Sequence, residues 1–102
     1  MSNSLVLPLA SSLSGVWQLG NKGKLVSVEL SIKPIPVTNG YALLDSPYSL
    51  KRVIQEDITA WRPEPDGISF LNSNGDTVLF FSKTSDSVYQ SNTGGYRLSR
   101  AR

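Results

Sequence analysis

Apolar and polar residues alternate along much of this chain, and short turn sequences interrupt the alternation at even intervals. In the clearest run, every second residue is aliphatic: Val26, Val28, Leu30 and Ile32. Successive side chains of a strand point to opposite faces, so this period of two predicts a half-buried β-strand. The continuous apolar residues 78–81 are typical of a strand that is covered on both faces or partly covered on its outer side.

Turn sequences rich in glycine, asparagine and aspartate separate these runs, at residues 20–23, 39–40, 66–67, 74–75 and 94–95. Such residues accept the positive φ angles that tight hairpin turns require. Between the turns we predict eight strands, near residues 14–20, 24–33, 40–44, 57–62, 67–72, 76–82, 86–90 and 95–100. Short strands with hairpin connections predict an all-β antiparallel sandwich or barrel, and closing the eight strands would leave no open sheet edge. Helix is expected only as single turns at residues 9–13 and 47–54.

One stretch, residues 60–68 (AWRPEPDGI), combines a tryptophan, an arginine, two prolines and an Asp-Gly turn. Proline has no N–H for a sheet ladder, so we expect the strand to leave the sheet at Trp61 and both Pro63 and Pro65 to lie outside it. Arg62 is expected to cover the face of Trp61, and Trp61, like Trp17, to lie in the core or at a barrel end. Because Pro-x-Pro pairs also bind aromatic grooves, a peptide ligand remains the alternative to a stiff corner.

The first residues, SNSLVLP at positions 2–8, match neither the alternation nor any turn that would pair them with a neighbouring strand. Pro8 prevents a regular continuation of the apolar run that precedes it. Two interpretations remain open: a frayed terminus, or an extended arm that enters a groove on another protein. We therefore divide the chain into an N-terminal trunk, residues 1–8, and a single β-barrel domain, residues 9–102.

The chain has 102 residues, a net charge of +2, and neither histidine nor cysteine. This composition removes the common zinc ligands, the Cys-His and Ser-His catalytic pairs and any disulfide, and no nucleotide-binding or calcium-binding motif is present. We therefore expect no enzymatic activity and no cofactor. The low charge argues against nucleic acid as a partner, and Arg97, Arg100 and Arg102 form either a solvated tail or a small phosphate-binding patch.

No run of the sequence is apolar and long enough to predict a membrane-spanning helix. The start of the chain lacks the basic and apolar regions of a secretory signal. We therefore expect either a cytosolic protein or one whose signal has been removed and replaced by Met1.

Motifs along nearly the whole chain resemble the bacterial alkaline protease inhibitors, a family that blocks secreted zinc proteases of the serralysin type. The shared motifs, in chain order, are residues 4–8 (SLVLP), 13–17 (LSGVW), 28–30 (VEL), 61–68 (WRPEPDGI), 74–76 (NGD) and 80–82 (FFS). The run at residues 61–68 is the most specific of them. The others are individually weaker, and their order and spacing carry the resemblance.

The resemblance implies a small eight-stranded antiparallel lipocalin-like β-barrel with a short N-terminal helical turn and an extended N-terminal trunk. It also implies that the trunk enters the protease cleft and brings its free α-amino group to the catalytic zinc. The trunk residues that this mechanism places in the cleft are Ser2, Asn3, Ser4, Leu5 and Val6. The implied partner is one serralysin-type zinc metalloprotease in a 1:1 complex in the periplasm. We expect a free monomer with no membrane partner and no metal of its own.

The sequence departs from the family pattern in two places. The positions that match the family's disulfide are Val26 and Ser49, so the bridge is absent and Val26 is expected to compensate by packing. Family trunks begin two residues before the leucine that matches Leu5, which points to Asn3, whereas Met1 and Ser2 precede it here.

Two other functions stay open for a barrel of this size. A carrier of small apolar ligands predicts a sizeable internal cavity, whereas an inhibitor predicts a core filled by side chains and a protruding N-terminal arm. An RNA-binding barrel predicts strongly salt-dependent binding, against which the low net charge argues.

Overall fold

Eight antiparallel strands close into a barrel in which each strand pairs with the next along the chain and the last pairs with the first. The computed structural model describes residues 10–45, 49–54 and 56–101. Its strands are β1 (Gly15–Asn21), β2 (Lys24–Ile35), β3 (Gly40–Leu44), β4 (Ala60–Glu64), β5 (Gly67–Leu71), β6 (Thr77–Ser85), β7 (Val88–Ser91) and β8 (Arg97–Arg100). Two short helices, α1 (Ala10–Leu13) and α2 (Ser49–Ile54), and a 3-10 turn (Pro36–Thr38) complete the described elements. The predicted eight-stranded antiparallel barrel and its short N-terminal helical turn are confirmed.

Side chains from all eight strands fill the interior of the barrel. The buried core consists of Leu13, Trp17, Leu19, Val28, Leu30, Leu43, Leu50, Ile54, Ile58, Trp61, Ile68, Phe70, Leu79, Phe81, Tyr89 and Leu98. Both tryptophans are fully buried, as expected, and the rings of Phe70 and Phe81 meet with their centroids 4.7 Å apart. Val26, which the resemblance matches to a disulfide position, is partly buried against this core.

The two helices cover opposite ends of the barrel. In an antiparallel barrel with only hairpin-like connections, the start of β1 and the end of β3 lie at opposite ends. α1 immediately precedes β1 and contributes Leu13 to the core, whereas α2 follows β3 and contributes Leu50 and Ile54. We call these the α1 end and the α2 end.

A bulge in β2 ends the clean alternation that the sequence shows. Leu30 pairs with Leu43 and Pro34 with Tyr41, so three residues of β2 oppose the single residue Ala42. The Ser31 hydroxyl donates to the carbonyl of Ala42 at 2.8 Å and fixes the bulge. As a consequence Ile32, which continues the aliphatic period, is 55% exposed and does not join the core.

The prediction that Pro63 lies outside the sheet is wrong. β4 continues through Pro63, which pairs with Ile68 of β5, and only Pro65 and Asp66 form the connection. On the side of β4 that faces β3, only Ala60 and Trp61 pair with that strand. Pro63 therefore has no ladder partner on this side. Proline is tolerated at such an edge because the missing N–H is not needed.

The expectation that Arg62 covers Trp61 is also wrong. The Arg62 side chain donates from Nε to the Glu64 carboxylate at 3.2 Å and from Nη1 to the Thr38 carbonyl at 3.4 Å. The indole of Trp61 instead donates from Nε1 to the carbonyl of Ser31 at 2.8 Å. The stretch 60–68 is therefore a strand, a stiff turn and the next strand, held by polar contacts among its own neighbours.

Candidate functional site

The site predicted from the sequence is the trunk, and its residues Ser2, Asn3, Ser4, Leu5 and Val6 lie outside the described residues. The described chain begins at Ala10, the first residue of α1 and two positions after the trunk ends. The candidate site for which the structure gives geometry is therefore the α1 end of the barrel, where the trunk is joined to it.

α1 has only four residues, and side-chain donors bind four consecutive carbonyl groups at and just after its end. Carbonyls in the last turn of a helix have no partner within the helix and need one from outside. Ser14 Oγ donates to Ser11 O at 2.9 Å, Arg100 Nη2 to Ser12 O at 2.7 Å, Trp17 Nε1 to Leu13 O at 2.8 Å and Arg100 Nη1 to Ser14 O at 2.8 Å. Two of these four bonds come from one guanidinium on the last strand.

Arg100 reaches α1 because β8 closes the barrel against β1. In that pairing Arg100 lies directly opposite Trp17, and Leu98, two residues earlier, is in the core. Arg100 therefore shares the inward face of β8 and extends over the end of the barrel. Its guanidinium carbon lies 4.4 Å from the centre of the Trp17 ring, a cation–π contact.

Trp17 connects this polar cluster to the core. Its ring is fully buried and meets the ring of Tyr89 edge-on, with centroids 5.5 Å apart. Burial raises the pKa of Tyr89 above its ordinary value of 10.0, and the nearby positive charge of Arg100 opposes part of that rise. Tyr89 therefore stays neutral at physiological pH, and the α1 end carries one buried aromatic pair beneath one cation.

Two exposed apolar side chains flank a glutamate on the outer wall of the barrel. Val16, Glu29 and Leu44 are adjacent across β1, β2 and β3, and Val16 and Leu44 are 47% and 50% exposed. A concavity of about 510 Å³ runs between them. It lies outside the barrel, whereas the carrier function predicts a cavity inside, where the large core side chains are.

The described residues contain no cluster of three or more histidine, cysteine, aspartate or glutamate side chains that would hold a metal ion. None of the described helices is long and apolar enough to cross a membrane.

Arg100 is the residue that the sequence-based interpretation missed. It was grouped with Arg97 and Arg102 as a solvated tail or a phosphate-binding patch, but its guanidinium is bound to two backbone carbonyls and a tryptophan face. The alternation in β8 contained the signal: Arg100 shares the face of Leu98, whereas Arg97 is on the opposite, exposed face.

These features define a class of protein: a small antiparallel barrel with a filled core and a helical turn fixed over one end by an arginine from the last strand. The fold is shared with the solved structure described as a psychrophilic marine protease MP inhibitor, with a TM-score of 0.71, 18% identity, and coverage of 90% of this chain and 98% of that chain.

Sequence comparisons assign the family. The model described as Protease inhibitor Inh matches residues 7–100. The alkaline proteinase inhibitor of Serratia marcescens is 35% identical over 92% of this chain and 74% of its own length. The alkaline proteinase inhibitor of Photorhabdus luminescens is 37% identical over 84% of this chain, and the match spans 64% of that relative's length. The chain belongs to the protease inhibitor Inh family.

Proposed function

We propose that the protein inhibits a secreted zinc metalloprotease of the serralysin type by inserting its trunk into the protease cleft. The observation that carries this proposal is the fixed position of α1, directly after the trunk, on a filled barrel. Membership of the Inh family and the naming of its relatives as alkaline proteinase inhibitors support a protease as the partner. The complex is 1:1, and it forms in the periplasm.

The chemistry at the protease is ligand exchange at its zinc. A catalytic zinc ion keeps one position open for water or substrate, and that water is the nucleophile of peptide hydrolysis. An α-amino group has an ordinary pKa of about 7.7–8.0, so it loses its proton readily when zinc competes for the nitrogen lone pair. The amine at the start of the trunk displaces the water and leaves the zinc without its nucleophile.

In this direction the trunk offers the protease no bond to cleave. When the chain begins at the zinc, its first residues fill only the product side of the cleft, and no peptide bond spans the metal. Asn3 and Ser4 supply small polar groups for hydrogen bonds along the cleft, and Leu5 and Val6 supply apolar side chains for its subsites. The barrel fixes α1, which follows the trunk, and thereby reduces the entropy lost on binding.

The test is a titration against a serralysin-type zinc protease with three versions of the chain. One version begins at Ser2 or Asn3, the second keeps Met1, and the third begins at Leu7. We expect strong inhibition by the first, weaker inhibition by the second because its amine is displaced, and little inhibition by the third. Equal inhibition by all three would move the contact to the barrel surface, and inhibition by none would reject the proposal.

A further inference from the structure

We infer that Arg100 is a positioning residue for inhibition, because it fixes the orientation of α1, the helix that follows the trunk. The inference rests on the proposed function and concerns a residue at the opposite end of the chain from the trunk. Arg100 is 88 positions from Ser12, and it contacts α1 only because the last strand closes the barrel beside the first.

Gly15 is the first residue of β1 and joins it to α1 through Ser14. Gly15 has φ of +120°, a conformation that side chains other than glycine rarely adopt. The guanidinium of Arg100 binds the carbonyls of Ser12 and Ser14, both on the helix side of that glycine, while Arg100 itself belongs to β8. Together with the Trp17 bond to Leu13, these two bonds tie α1 to the barrel across that glycine.

The bond pattern suits arginine and no other residue type. The planar guanidinium donates through Nη1 and Nη2 to two different carbonyls at 2.8 and 2.7 Å while its face lies on Trp17. A lysine keeps the charge but presents one compact ammonium group, which lacks the fork and the flat face. Glutamine keeps a polar end but has a shorter reach and no charge.

The helix depends on such contacts for its order. A helix of four residues is far below the length at which helices are stable by themselves, so its orientation is set by the barrel. Removing Arg100 leaves Leu13 in the core and the Trp17 bond to Leu13 intact, so the barrel remains closed. The segment before α1 then samples more directions, and binding the protease must order it at the cost of affinity.

The experiment compares Arg100→Gln and Arg100→Lys with the matched control Arg97→Gln, which changes an exposed arginine on the same strand. Inhibition constants are measured against a serralysin-type zinc protease, well below the melting temperature of every variant. We expect Arg100→Gln to inhibit at least about tenfold more weakly, Arg100→Lys to fall between, and Arg97→Gln to stay within about twofold of the unaltered chain. Hydrogen exchange at residues 10–14 should rise only in the Arg100 variants.

A second arm separates positioning from a general loss of structure. Arg100→Gln is combined with the version that begins at Leu7, and binding to the protease is measured directly by calorimetry at high concentration. If Arg100 acts through the trunk, the substitution has no further effect in the shortened chain. An equal loss in the long and short chains would overturn the inference, because Arg100 would then act through the barrel.

The remaining outcomes also decide the question. Unchanged inhibition by Arg100→Gln overturns the inference and leaves the proposed function in place. Absence of inhibition by the unaltered chain overturns both. If Arg97→Gln also weakens inhibition about tenfold, the effect comes from net charge. This result too would overturn the positioning role of Arg100.

Discussion

The two ends of the barrel are closed in different ways. At the α2 end, Leu50 and Ile54 enter the core, and the Asp45 carboxylate accepts from the backbone N–H of Leu50 at 2.9 Å. At the α1 end, one residue of α1, Leu13, enters the core, and four side-chain hydrogen bonds hold the carbonyls of residues 11–14.

The two ends therefore contribute differently to the stability of the barrel and to the orientation of its helices. Apolar contacts are non-directional, and the α2 end, where two side chains of α2 enter the core, gains more of its stability from burial than the α1 end does. Hydrogen bonds depend on angle and distance, so those at the α1 end define one orientation of the helix. The trunk is joined to the end that has more of these directional contacts, and the variants described next test whether that difference matters for inhibition.

The largest expected effect comes from Trp17→Ala. Removing a fully buried tryptophan typically costs about 3–5 kcal/mol of unfolding free energy, and this change also removes the bond to Leu13 and the surface beneath Arg100. We expect inhibition to weaken as well, even where the variant is folded.

Trp61→Ala is the matched control for this change. Trp61 is equally buried but donates to Ser31, so the variant should lose a similar amount of stability and keep its inhibition. Urea unfolding and inhibition assays measure the two properties. If both variants inhibit equally per folded molecule, the α1 end has no special part in inhibition.

A change at the α2 end should lower stability alone. Leu50→Ala removes a side chain that is 2% exposed, at a typical cost of about 2–5 kcal/mol. Because Leu50 lies at the opposite end from the trunk, we expect an unchanged inhibition constant below the melting temperature. A drop in inhibition by the fully folded variant would show that the two ends are coupled.

The smallest expected effect is the alkaline pH dependence of stability at Tyr89. Burial raises the pKa of the folded Tyr89 above 10.0, so its unfolded form releases its proton first as pH rises. The folded state is therefore favoured fully below about pH 10 and loses stability above it, by at most about 1.4 kcal/mol per pH unit until the folded group also titrates.

Tyr89→Phe should remove this part of the slope. Unfolding by urea at pH 7, 10 and 11 measures the slope, and the pH 7 value corrects for the lost hydroxyl. Parallel pH profiles for the unaltered chain and the variant would mean that Tyr89 titrates alike in the folded and unfolded states.

Much of the barrel could be predicted from local patterns. Alternation in β2 and the Asp66–Gly67 turn placed strands and a hairpin within a few residues of their observed bounds. The errors arose where tertiary contacts override a local rule. Pro63 stays in its strand because β3 does not pair with it there, and Ile32 leaves the core because a bulge in β2 shifts the register.

The candidate site, like the fold, could be predicted from the sequence only in part. The trunk residues followed from the sequence and its family resemblance, and they remain a prediction that the titration tests. The contact between Arg100 and α1 did not follow from the sequence, because Arg97 and Arg100 are both C-terminal arginines. Only their positions on opposite faces of β8 separate an exposed side chain from one that binds α1.

By itself, the sequence determined the number and kind of strands and their hairpin connections, because alternation and turn chemistry are properties of neighbouring residues. Only the tertiary structure decided which arginine holds the first helix. That contact joins residues 88 positions apart, and it exists because closure brings β8 beside β1 and places a guanidinium at hydrogen-bonding distance from two carbonyls.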